Sequence, residues 1–118
     1  MTGLAIAKPW IALNQQNIGA VPAQLGVFEL GDENETVVHI GYAGGREMFG
    51  LRSALDRAIN GELNRPTTEA GPVAFRYELT HGYLTRWEEL LMVHQALHGR
   101  LPVGNADHPH KIGRLTVS

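Results

Sequence analysis

The stretch from Leu25 to Ile40 constrains the fold more than any other part of the chain. Leu25, Val27, Phe28 and Leu30 make a strand-like run, Gly31-Asp32-Glu33-Asn34 concentrates turn formers, and Thr36 to Ile40 is β-branched almost throughout. Two β runs about a short polar turn predict an antiparallel hairpin.

The remaining elements must be arranged around that hairpin. Three glycines in Gly41-Tyr42-Ala43-Gly44-Gly45 mark a loop whose backbone amides can come close to a partner. Phe49, Leu51, Leu55, Ala58 and Ile59 share one helical face, which predicts a helix over about 48–59 with Gly61 as its stop. Two prolines and a glycine make 64–72 a loop. Val73, Phe75, Tyr77 and Leu79 alternate with Ala74, Arg76 and Glu78, the pattern of a half-buried strand. Trp87, Leu90, Leu91, His94 and Leu97 line one face of a second amphipathic helix over 85–97, which Gly99 ends. Before the hairpin, Trp10, Ile11, Leu13 and Ile18 predict a short helix and a lead-in loop, and the tail from Arg100 is mostly irregular. The expected fold is a small single α/β domain, a three-stranded sheet with an N-terminal antiparallel hairpin, flanked by helices. Its third strand pairs back with the hairpin after a helical crossover. The chain divides into a helix and lead-in over 1–23, the domain proper over 24–105, and a tail over 106–118.

At 118 residues there is room for one core. The absence of cysteine excludes disulfides and thiolate metal sites. No apolar run approaches the roughly 20 residues that span a bilayer, and the apolar patch near the start lacks a preceding basic segment. No membrane association and a cytoplasmic location are therefore expected. The formal charge is −2, from ten Lys and Arg against twelve Asp and Glu, so the basic excess of a dedicated nucleic-acid binder is absent.

Five segments in order, Gly26-Val27-Phe28, His39-Ile40-Gly41, the FGLRSAL of 49–55, the WEELL of 87–91 and the closing LPVGN of 101–105, resemble the GIY-YIG nuclease domain. The resemblance covers roughly residues 24–105 and implies metal-dependent phosphodiester hydrolysis of nucleic acid. In that family a tyrosine cluster helps generate the attacking water, a helix arginine steadies the phosphate, and a glutamate holds one divalent cation. Mg²⁺ (or Mn²⁺) suits such a site, since it is content with few carboxylates and keeps several waters. Carried over residue by residue, Phe28 and His39 take the two tyrosine positions and Arg52 the arginine. Glu89, with Glu88 beside it, takes the metal glutamate, and Asn105 the closing asparagine. Arg46, in the glycine-rich loop, is a second phosphate candidate.

The departures from the family are chemical. Phe28 has no hydroxyl to exchange a proton, and its plain reading is core packing. His39 can substitute in acid–base work, since an unperturbed imidazole titrates at about 6.5. Tyr42, just after the second motif, offers the hydroxyl that Phe28 lacks. Asp56, one turn past Arg52, can pair with that arginine and hold it from phosphate. His94 and His98 stand at i, i+4 and Asp107, His108 and His110 follow in the tail, but no third ligand is fixed by spacing and zinc is disfavoured. Two functions follow: a divergent nuclease acting through His39, Tyr42, Arg52 and Glu89, or a non-nucleolytic domain whose cleft binds a protein segment or a small anionic ligand.

Overall fold

The computed structural model describes residues 5–45, 47–60 and 72–105. The hairpin is its centre. Strand β2 (Gly26–Gly31) pairs antiparallel with β3 (Val37–Ala43) on one side and with β4 (Ala74–Leu79) on the other, and a two-residue strand β1 (Ile11–Ala12) adds to β4. The sheet is therefore four-stranded and antiparallel, in the order β1-β4-β2-β3. This corrects the expected count of three strands. Ile11 and Ala12 were expected in a helix, yet they pair with Phe75 and Ala74, and the short helix α1 (Gln15–Gly19) begins only after them. Asn14 sets that start, its side chain accepting the Asn17 N–H at 2.8 Å.

The hairpin turn is local chemistry. The Asp32 Oδ1 accepts the amides of Asn34 (2.8 Å) and Thr36 (2.9 Å), holding Glu35 at a positive φ of 62°. Helix α2 (Gly50–Ile59) and helix α3 (Tyr83–His98) follow near the predicted positions, and a 3₁₀ turn, Val103–Asn105, closes the described chain.

Alternation along β2 separates two apolar layers. Phe28 and Leu30 face α1 and α2, in a cluster with Ile18, Val21, Leu51, Leu55 and Phe75. Val27 faces α3, with Ile40, Leu90, Leu91, Leu101 and Ile6. The sheet thus has helices on both faces, α2 on one and α3 on the other. Ile6, Ile11, Leu13, Ile18 and Val21 all pack into these layers, so the segment before the hairpin is part of the same core. The tail over 106–118 lies outside the described residues. Among the described residues, no helix is long and apolar enough to cross a membrane.

Candidate functional site

The two signature glycines have steric reasons to be glycine. Gly26 pairs with Leu79 of β4, and a Cβ there would overlap the Glu78 carbonyl oxygen. Gly41 is the cross-strand partner of Phe28, and a Cβ on it would lie 2.4 Å from the tip of that ring. Phe28 is buried, so its ring fills the space above Gly41 as core. His39 lies on the same face, pairing across with Leu30. Its ring sits 6.0 Å from the Phe28 ring, with Nδ1 3.3 Å from the Gly104 carbonyl oxygen. The imidazole is buried, between the sheet and the closing turn.

Asn105 is buried too, and both ends of its amide are engaged. Its Oδ1 accepts the Ile40 N–H at 2.8 Å and its Nδ2 donates to the Ile40 carbonyl at 2.9 Å. The side chain therefore stands where a neighbouring strand's peptide group would stand, on the outer edge of β3. The Trp87 Nε1 donates to the same carbonyl at 2.9 Å. Asn105 thus ties the end of the fold to the second motif.

Arg52 is on α2, the helix that covers the Phe28 face. Its Nε donates to the Val21 carbonyl at 3.1 Å. It lines a small cavity of about 220 Å³ with Gln15, Ser53 and Asp56. Asp56, which could pair with Arg52, instead accepts from the Asn60 Nδ2 at 3.4 Å.

Tyr42 faces the other way. It pairs across with Val27, stacks on Tyr83 at 5.6 Å and meets the edge of Trp87 at 5.0 Å. Glu89 is on α3, on that same face. Its Oε1 accepts from the Arg86 NH1 at 2.7 Å, and Arg86 also grips Glu78 on β4 at 2.7 Å. This shared guanidinium holds the Glu78 carboxyl below the usual carboxylate range, chiefly by its hydrogen bond, and the two carboxylates raise Arg86 in turn. Glu88, the alternative metal glutamate, is exposed. Arg46 lies outside the described residues.

The four groups expected to work together are thus divided two and two: His39 and Arg52 on the α2 face, Tyr42 and Glu89 on the α3 face. The arrangement does not fit a Mg²⁺ or Mn²⁺ ion at Glu89. Its carboxylate is already neutralised by Arg86, and a cation there would face that guanidinium at close range. Among the described residues no group of three or more His, Asp or Glu side chains is placed to hold a metal ion.

A cleft of about 500 Å³ opens between the C-terminal end of α3, the start of β3 and the 101–103 segment. Arg76, His94, His98, Arg100 and, at one side, Glu35 line it. The His94 and His98 rings are 4.4 Å apart. His94 is pushed down from 6.5 to about 4, first by burial and then by the positive charge of His98 and Arg100. Asp107, His108 and His110, considered above as further ligands, lie outside the described residues.

Residues 4–97 match the model of a family described as a domain of unknown function, DUF7508. The chain belongs to that family. No curated protein and no solved structure matches this DUF7508 chain. In this member, sequence reading missed Arg100, which joins the two histidines. Its only sequence signal is position, two residues past His98 and just beyond the Gly99 that ends α3.

Proposed function

We propose that this chain is a binding domain and not a nuclease, and that its ligand is a small anion. The reading rests on one observation: the side chains that phosphodiester hydrolysis would need are split between two faces of the sheet, and three of them are engaged internally. His39 lies under the closing turn, Asn105 is spent on Ile40, and Glu89 is held by Arg86. The order hairpin, helix, strand, helix from residue 26 onward supports keeping a GIY-YIG-like reading of the fold. A fold does not carry its relatives' chemistry with it, however, and function has to be read from the site. The net charge of −2 favours a small ligand over a nucleic-acid strand. The concentration of imidazole and guanidinium groups in the cleft at the end of α3 favours an anion over a peptide.

The test is incubation with single- and double-stranded DNA and RNA in the presence of Mg²⁺ or Mn²⁺. No cleavage is expected above buffer, and no difference between the natural chain and Glu89→Ala. Metal-dependent cleavage that disappears in both Arg52→Ala and Glu89→Ala would overturn the reading.

A further inference from the structure

We propose that the cleft formed by His94, His98 and Arg100 is a proton-coupled site for a tetrahedral oxyanion, a sulfate- or phosphate-like group. This deepens the binding reading above and rests on it. The cleft offers two imidazoles in ring contact on one face of α3, with a guanidinium just beyond the helix end. Among the described residues Arg100 has no acidic partner. Arg76, which also lines the cleft, is turned toward Glu29 at 2.7 Å, so it adds positive field but not its Nε donor. Among the described residues, the one carboxylate on the wall is Glu35, in the hairpin turn.

This set suits an anion better than a metal. Two imidazoles on successive turns can begin a metal site, but a third ligand is needed, and here the neighbouring groups are cationic. A cation entering between Arg100 and Arg76 would be repelled, whereas an oxyanion would meet a guanidinium fork and up to two imidazolium donors. Unliganded, burial first and the nearby Arg100 charge after it keep His94 neutral at physiological pH. A bound dianion reverses the sign of that local field. It makes the charged imidazolium the favoured form, so the anion enters together with a proton. The charged and titratable groups that line the cleft with His94 are His98 on its own helix, Arg100 beyond it, Arg76 from β4, and Glu35 from the turn, which opposes the anion.

Sulfate is the informative probe, because its charge is the same at the two pH values of the test. The ¹⁵N ring signals of His94 and His98 would be followed during sulfate titration at pH 7.5 and 5.5, in the natural chain and in Arg100→Ala. Both rings should shift, with sulfate binding roughly tenfold tighter at the lower pH. Arg100→Ala should weaken binding by about tenfold or more, the loss of a charge-assisted contact. Inorganic phosphate and glycerol phosphate, run in parallel, separate the free ion from an ester: tighter glycerol phosphate binding assigns the site to a phosphate monoester, and equal affinities assign it to the free ion. Rings that do not move, affinity equal at the two pH values, or an Arg100→Ala chain that binds as well as the natural one would each overturn the site. Sulfate shifting signals elsewhere while both rings stay still would remove this site and leave the anion-binding reading standing. Nucleic-acid cleavage that requires Glu89 would remove that reading whatever sulfate does.

Discussion

Replacing Arg76 with methionine is expected to cost about 3 kcal/mol of folding stability at pH 7, the largest single effect anticipated for a side chain in this fold. Glu29 is the reason. It lies in the middle of the central strand, 3% exposed, with the Arg76 Nε at 2.7 Å. Burial raises its pKa even with Arg76 in place, the arginine's hydrogen bond and charge only partly offsetting the desolvation. Methionine removes that compensation and leaves a carboxylate in an apolar layer. The sign with pH follows. A carboxyl whose folded pKa lies above its unfolded value destabilises the fold as pH rises through the folded pKa, and the fold recovers as pH falls. The penalty of Arg76→Met, measured against the natural chain at each pH, should therefore shrink between pH 7 and pH 5.5. Adding Glu29→Gln should return most of it. Urea unfolding at the two pH values reads both effects, and a penalty that is small or constant with pH would contradict the account of this pair. Arg76 also lies over the Trp10 ring at 4.1 Å, so part of the loss is packing that Glu29→Gln will not restore.

Gly41→Ala is expected to destabilise by about 2–3 kcal/mol, although alanine would ordinarily be neutral or better in a strand. The added methyl would overlap the tip of the Phe28 ring, which is buried in the α2 layer. Truncating that ring supplies the space. The double variant Phe28→Leu/Gly41→Ala should be less destabilised than the sum of its single variants, by about 1 kcal/mol or more of coupling. Additive losses in a double-mutant cycle would mean that Gly41 is glycine for some other reason. This pair bears on how the signature should be read: the first aromatic and the second glycine are two halves of one packing contact, which survives whether or not the aromatic carries a hydroxyl.

The hairpin was legible because its determinants are local. Asp32 caps a turn only a few residues long, and β-branched residues flank it. Strand β1 was not, because its two residues are fixed by pairing with β4 some 60 positions away, and Trp10, Ile11 and Leu13 suit either a helix face or a strand. One feature of the site is legible in the sequence alone. His39 and Tyr42 lie three apart in one strand, and an odd separation puts side chains on opposite faces. Other features could not be read. Which face each crossover helix covers depends on tertiary packing, and Asn105 finds its partner 65 positions back at Ile40. Arg100 gains meaning only when the end of α3 brings it beside His94 and His98.

Arg52 and Glu89 belong to opposite faces of the sheet and do not share a site. The chain has no cysteine, so cysteines introduced at these two positions would be the only attachment points for a pair of spin labels. Dipolar EPR on the doubly labelled chain then measures their separation in solution. Helix, sheet and helix layers packed roughly 10 Å apart predict about 20 Å between the two labels. A distribution centred below about 10 Å, close enough for both residues to reach one phosphate, would contradict the account and restore the catalytic reading.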